Sequence, residues 1–264
     1  MEHSESVPRY LAGKGVEIGA FKTPIPGIEP VYVDRFEEYA GEPTLADYYG
    51  DACDLPFYDS SVQYVATSHV LEHVANPLAA ISEWFRVIKH GGHIYMVVPD
   101  RRKTFDHPRP LTDVEHMLSD YRDGVSQSDG AHVDDFVYGI DWNMYSPSTD
   151  SSQKESTRDE LAARYHLAVN AGLEINIHFH TFESFSAVAL IHAGNRESLW
   201  KGRIEVVEVV EEFPGSTPNG FLIVGRVFKN IRSRCLSLLS PKGLRKNARK
   251  LEVTKLGARV LSHK

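Results

Sequence analysis

The stretch Asp51–Asp100 constrains the fold most, because it reads as strand, helix and strand in immediate succession. Val62, Tyr64, Val65, Ala66 and Val70 make a mostly apolar run, as expected for a strand covered on both faces. The following helix has a clear start. Asn76 stands at the N-cap and Pro77 at the first helical position, where a missing N–H does no harm. Leu78, Ile81, Trp84, Phe85 and Ile88 follow at three- and four-residue spacing and predict one buried stripe. Gly91-Gly92 predicts a left-handed C-cap after Lys89 and His90, whose positive charge suits a helix C-terminus. Ile94–Val98 is the next buried strand, closed by Pro99-Asp100. Two parallel strands joined by a helix form a right-handed crossover. Ligands of such sheets gather at the carboxyl ends of the strands, here Ser68–His73 and Pro99–Arg102.

Upstream, Gly15–Ala20 is a short buried strand running into a glycine turn, and Val31–Asp34 is a second strand ending in a carboxylate. The residues 21–30 between them include Pro24, Pro26, Gly27 and Pro30, so at most one helical turn fits. The Gly-x-Gly-x-x-Gly fingerprint of dinucleotide sites is absent, since Ala20, Phe21 and Lys22 follow Gly19. The glycine turn lets a ligand approach the backbone. Asp34 can accept two hydrogen bonds from a ribose diol. Asp54-Leu55 can offer a carboxylate and a backbone N–H to an adenine edge. Together these describe an adenosine site without a phosphate-binding device, which favours S-adenosylmethionine over NAD or ATP.

These residues also carry a family resemblance. Glu17–Ala20, Val33–Arg35, Asp51–Phe57, Ser68–His73 and the close of the helix at Lys89–Gly92 resemble the class I S-adenosylmethionine-dependent methyltransferases of the type 11 group. The resemblance covers roughly residues 15–100. It implies that Glu17 and Gly19 face the methionine and ribose portion and that Asp34, with Arg35 beside it, holds the ribose. It places Asp54 and Leu55 at the adenine, and Ser68 and His69 beside the methionine end. The short first crossover, with Asp100–Asp106 and Arg109–Thr112, resembles a subgroup found near glycan-assembly enzymes.

Residues 101–176 are unlike that core. They offer a helix over Thr112–Tyr121 with Thr112–Glu115 as capping box, an exposed polar loop over Ser146–Arg158, and a helix over Arg158–Ala171 stopped by Gly172. An insertion directly after a strand's carboxyl end is where an acceptor pocket would be built. Leu173–Phe179 alternates like a strand or an extended segment, and Thr181–Gly194 reads as a helix. Ile204–Phe213 and Phe221–Phe228 form a last hairpin. The expected fold is α/β: a Rossmann-like, mostly parallel seven-stranded sheet with an antiparallel last strand, an inserted cap and a basic tail. Residues 1–232 form the methyltransferase domain and 233–264 the tail.

The 264 residues can bury a full core without disulfides, and Cys53 and Cys235 are the only cysteines, so a reducing cytoplasm is expected. The first 15 residues hold no apolar signal segment, and no run reaches the roughly 18 apolar residues of a spanning helix. Net charge is −7, but residues 241–264 carry eight Lys/Arg against one acid. The acidic body does not read as a nucleic-acid binder. The basic tail suits a peripheral membrane contact, a partner protein or docking on the body, and it makes a homo-oligomer plausible.

Methyl transfer to a hydroxyl needs an aligned acceptor and a group that takes or shares its proton. Asp100, the first polar residue past the fifth strand, is a candidate for that role; otherwise it simply caps a backbone group. His178 and His180 are two apart, so in an extended segment both point to one side, as a catalytic base or a metal face. Asp100, His178 and His180 are thus the catalytic candidates and also the candidate ligands of a Mg²⁺ ion. Arg102, Asp106 and Arg109 suit a hydroxyl-rich acceptor, or else form a surface ion-pair cluster. His69 and His73 flank Glu72 at a spacing that shares one helical face; the resemblance favours a structural His73 and a His69 near the cofactor. Glu115-His116 reads as an exposed helix face. The expected function is O-methylation of a sugar hydroxyl on an oligo- or polysaccharide precursor. The rivals are an amino-sugar N-methyltransferase and a non-catalytic cofactor-binding module of a glycan-assembly complex.

Overall fold

A computed structural model describes residues 1–39, 41–148 and 154–230. The basic tail and Cys235 lie outside the described residues. Seven strands form one sheet: β1 (Gly15–Ile18), β2 (Val31–Asp34), β3 (Tyr48–Tyr49), β4 (Val62–Ser68), β5 (Ile88–Pro99), β6 (Gly202–Phe213) and β7 (Gly220–Lys229). Their spatial order is β3-β2-β1-β4-β5-β7-β6. β1, β2, β3, β4 and β5 pair in parallel, while β7 runs antiparallel to both β5 and β6. This is the expected α/β architecture. A small hairpin, Glu38–Tyr39 with Glu42–Pro43, stands apart. No helix among the described residues is long and apolar enough to cross a membrane.

Among the described residues the helices longer than one turn are α1 (His3–Tyr10), α2 (Pro77–Val87), α3 (Val114–Asp123), α4 (Val133–Gly139), α5 (Lys154–Asn170) and α6 (Ser184–Arg196). On one face of the sheet, α2, α3 and α6 bury Leu78, Ile81, Trp84, Met117, Leu190 and Ile191 against Val16, Val65, Ile94 and Ile223. Each such side chain stabilises the fold by about 1.5–3 kcal/mol when fully buried. On the other face, α1 and the first crossover bring Val7, Leu11 and Ile25 onto Tyr64, Tyr95 and Phe213. The N-terminal segment therefore supplies part of the core. The first crossover holds no helix, as its prolines require.

α2 begins as the sequence predicts: the Asn76 side chain accepts from the Ala79 N–H at 3.0 Å behind Pro77 at the first helical position. Its end differs. The helix closes at Val87, Ile88 is already extended, and Gly91-Gly92 lies within β5. The glycines serve close approach there: a Cβ on Gly92 would stand 2.2 Å from the Gln63 carbonyl oxygen of β4. Val70 falls beyond β4, in the loop that follows it.

The insertion builds a core of its own. Val133, Phe136, Val137 and Trp142 pack with Leu161 and Tyr165 of α5 and with Ile175, Ile177 and Phe179. Leu173–Phe179 is irregular rather than a strand; it packs through Ile175, Ile177 and Phe179, and the Ile175 and Phe179 N–H groups donate to the Gln127 and Glu72 carbonyls. α5 begins at Lys154, ahead of the expected start, and Gly172 past its end has φ +71°. α3 is capped by Asp113, whose carboxylate accepts from the His116 N–H, not by Thr112. Thr112 instead exchanges hydrogen bonds with Thr181, which ties the insertion to the approach of α6.

Candidate active site

The sheet order sets the carboxyl ends of β1, β2 and β4 side by side, with Ile18 between Val33 and Thr67. Glu17 is 1% exposed; its Oε1 accepts from the Ile25 N–H at 2.8 Å and its Oε2 is buried without a partner. Burial pushes this carboxyl up to about 7, the Ile25 N–H pulling the other way. Gly19 has φ +69°, and the space its Cβ would take is filled by Val70 at 2.6 Å. The glycine turn thus accommodates the loop after β4. Asp34 is buried; its Oδ1 accepts from Phe36 N–H, and burial raises its pKa. Ser68 ends β4, and His69 follows with φ +54° and its N–H on the Val97 carbonyl.

Two expected cofactor contacts are already committed within the protein. The Leu55 N–H donates to Glu83 Oε1 at 2.7 Å, because α2 staples the 51–57 loop through Glu83 and through Trp84 on the Ala52 carbonyl. That N–H is not free for an adenine edge, whereas Asp54 beside it is exposed. Arg35 donates to Asp51 at 2.7 Å and forks onto Glu174, so it ties β2 to the segment after α5.

Past β4, a short 3₁₀ turn, Leu71–His73, replaces the single helical face expected for His69 and His73. It buries Glu72 at 1% exposure with neither carboxylate oxygen hydrogen-bonded among the described residues. His69 Nδ1 and His73 Nε2 stand 3.9 and 3.8 Å from Glu72 Oε1. Burial pushes Glu72 up to about 7, and burial together with the His178 charge pushes His69 down to about 4 and His73 down to about 3. His178 packs edge-on to His73 at 4.5 Å between ring centroids. Its Nδ1 meets Asp106 Oδ2 at 2.5 Å, and no hydrogen bond engages Nε2 among the described residues. Asp106 is buried, which raises its pKa, but the His178 hydrogen bond and the Arg109 charge bring it below the usual range.

Residues 28–96 match the family model described as "Methyltransferase domain". That match runs from just before β2 into β5. A relative, an uncharacterized 37.1 kDa protein in transposon TN4556 of Streptomyces fradiae, is 31% identical over 114 residues. The match takes in 39% of this chain and 33% of that protein, so the chain spans about a third of the curated relative it matches. Among solved structures, a methyltransferase of Methanosarcina mazei is 18% identical over 87% of this chain and 100% of its own, with TM-score 0.47. A possible histamine N-methyltransferase of Thermotoga maritima is 16% identical over 85% of this chain and 87% of its own, with TM-score 0.44.

The remaining expected site residues separate. Asp100 caps the turn Arg101–Lys103: its carboxylate accepts from the Arg102 N–H at 3.0 Å and from the Arg102 guanidinium. It thus takes the capping job, facing a cation rather than a histidine. Arg102 is half exposed and lies between Asp100, Glu183 and Glu211. Arg109 is neither an acceptor contact nor part of a surface cluster. Its side chain is fully buried and bonds Asp106, Asp135 and the Phe179 carbonyl. His178 and His180 do not share a metal face: His178 groups with Glu72 and His73, His180 with His116, Asp120 and His132. Asp120 and His132 escaped sequence reasoning. The signal for the first was its four-residue spacing from His116, which places both on one face of α3; His132 carried no local signal.

The buried, unpartnered Glu17 Oε2 suits the ammonium of a methionine moiety, and the Asp34 carboxylate suits a ribose diol. S-adenosylmethionine, the donor that the sequence resemblance implies, fits the residues at the ends of β1 and β2, with the adenine contact left to groups other than the Leu55 N–H. A Mg²⁺ ion fits poorly: among the described residues, the clusters that include His178 or His180 are rich in imidazole, whereas Mg²⁺ takes oxygen donors.

Proposed function

We propose that this domain methylates a sugar hydroxyl on an oligo- or polysaccharide precursor, with His178 as the general base. One observation carries the reading: Asp106 engages His178 Nδ1 at the carboxyl end of the β4 region, which leaves Nε2 as the ring atom to take a proton. A carboxylate on one imidazole nitrogen fixes the tautomer and stabilises the imidazolium that forms on the other. S-adenosylmethionine, when bound, supplies an electrophilic methyl on sulfonium. Glu17 and Asp34 bind and orient the donor. The imidazole of His178 takes the acceptor hydroxyl proton on Nε2, and the apolar wall of Phe105 and Phe136 beside the ring limits water there. A sugar as acceptor is supported by the resemblance of Asp100–Asp106 and Arg109–Thr112 to glycan-associated methyltransferases. The mycobacterial 1-O-methyltransferase of methylmannose polysaccharide synthesis is one methyltransferase of that kind which these motifs resemble.

The test is a calorimetric titration with S-adenosylhomocysteine, followed by a methylation screen over free, nucleotide-linked and oligomeric sugars with and without Mg²⁺. Methylation of a sugar hydroxyl that His178→Gln abolishes, with cofactor affinity intact, is the expected result. Transfer only to amino sugars, or none despite cofactor binding, would sink the hydroxyl reading.

A further inference from the structure

A second group of metal-type ligands lies apart from the proposed base. His116 and Asp120 come from one face of α3, His132 from the residue preceding α4, and His180 from the approach to α6. Asp120, His132 and His180 are 6%, 5% and 0% exposed, and only His116 reaches solvent. Asp120 Oδ2 stands 3.4 Å from His116 Nε2 and 3.6 Å from His132 Nε2; His180 Nε2, also 3.6 Å away, faces the Ala75 carbonyl, which leaves Nδ1 as that ring's ligand atom. These separations are too long for hydrogen bonds to a carboxylate, which close to about 2.7–2.9 Å. Those to His116 and His132 lie close to the edge of a tetrahedron whose bonds are about 2.0–2.1 Å, which is about 3.3–3.4 Å. The three imidazole rings sit 4.9–5.9 Å apart at interplanar angles of 72–89°, as rings pointing to one centre from different sides do.

The polar accounting agrees. Asp120 Oδ2, His132 Nε2 and His180 Nδ1 are all buried and have no hydrogen-bond partner among the described residues. Three such atoms in one place is unusual in a folded protein and calls for an occupant. The surrounding shell is also in place: the Ala75 carbonyl lies 3.2 Å from His180 Nε2 and orients that ring, and Asn76 Nδ2 donates to the Asp120 carbonyl.

We propose that His116, Asp120, His132 and His180 form a four-ligand site for a borderline divalent cation of the Zn²⁺ class. Three imidazoles and one carboxylate exclude Mg²⁺ and Ca²⁺, which require oxygen donors, and four protein ligands describe a closed, structural site. The ion pins α3, α4 and the 175–183 segment to the start of α2. The insertion thereby gains a fixed seat on the sheet, and the chain through His178 is held two residues from a ligand. The half-exposed His116 is the entry side.

The test uses the full chain without a histidine tag. Elemental analysis of purified protein is expected to give about one equivalent of Zn²⁺. After removal of the ion by a chelator, titration with Zn²⁺ restores the melting temperature of the untreated protein, and Co²⁺ gives the intense visible spectrum of a tetrahedral site. His132→Gln and Asp120→Asn are expected to lose the ion and the thermal response. Glu72→Gln keeps both, as does His166→Ala, a surface histidine paired with Asp134. If the stripped wild type takes up neither Zn²⁺ nor Co²⁺, the site is not a metal site. If Glu72→Gln rather than His132→Gln loses the ion, the metal belongs to the Glu72, His73 and His178 group. Either outcome overturns the proposal, and because wild-type titration needs no variant, a variant that fails to fold does not obscure it.

Discussion

Asp106 and His178 are 72 residues apart in the chain, yet Oδ2 of one lies 2.5 Å from Nδ1 of the other in the protein interior. Asp106 comes from the loop after β5 and His178 from the irregular segment before α6. The insertion between them folds into its own core, and that core closes the pair.

This geometry predicts how the two residues fail. His178→Gln removes the base and is expected to lower kcat by about 10²–10⁴-fold, the usual worth of a positioned general base. Asp106→Asn leaves the ring in place without a carboxylate to stabilise its charged form, and is expected to lower kcat while KM for the acceptor stays nearly constant. Steady-state kinetics on an accepted sugar check both. A variant that loses only cofactor affinity would place His178 in binding instead.

Arg109 is the mechanical counterpart of that pair. Its side chain has no solvent exposure and satisfies Asp106 and Asp135 together. Arg109→Ala leaves the buried Asp106 carboxylate with one partner fewer, and breaking a buried pair from one side costs about 3–5 kcal/mol. Arg109→Lys is expected to recover only part, since an ammonium cannot fork across two carboxylates. Urea denaturation followed by circular dichroism measures both. Arg122→Ala, which removes an exposed partner of Glu115, is the control and is expected to leave the midpoint unmoved.

Glu17 gives a pH signature of opposite sign to that of a paired carboxylate. Burial raises its pKa in the fold from 4.5 to about 7, so the folded protein holds this proton more tightly than the unfolded chain. Its contribution is therefore fully favourable below about pH 4.5, declines as pH rises, and levels off above about 7. The total swing is on the order of 3 kcal/mol. Glu17→Gln keeps an acceptor for the Ile25 N–H and has no charge to bury. It is expected to be more stable than wild type at pH 8 and nearly equal at pH 5. Denaturation midpoints at the two pH values decide it; equal differences at both would mean Glu17 is not held neutral.

The sheet and α2 were legible because their signals are local. Alternation and apolar runs mark β4 and β5, Asn76-Pro77 marks a helix start, and prolines in 21–30 forbid a crossover helix. Gly91-Gly92 misled because a glycine pair after a basic turn has two uses, and only the Gln63 carbonyl across the sheet selects the second. The clusters were legible only in pieces. Sequence showed His178 and His180 as a pair on one side, but the chain's path sends one to Asp106 and the other to Asp120. Arg109 looked like a surface charge because nothing within a few residues reveals that Asp135 and Phe179 close over it. Packing of an insertion on a sheet is a long-range fact, and its polar interior follows it.

The last prediction separates the two residues at the end of β2. Asp34 keeps its buried carboxylate at the end of β2, between β1 and β3, whereas Arg35 turns away to Asp51 and Glu174. If the ribose hydroxyls donate to Asp34, Asp34→Ala removes hydrogen bonds to a charged group worth about 1.5–3 kcal/mol, or roughly a 10- to 100-fold loss of affinity. Arg35→Ala breaks two ion pairs and is expected to lower the melting temperature, with little change in cofactor affinity. Titration of both variants with S-adenosylhomocysteine, beside their thermal melts, reads the two effects separately. Loss of affinity in Arg35→Ala with Asp34→Ala unaffected would reverse the assignment and move the cofactor's ribose toward the Asp51 loop.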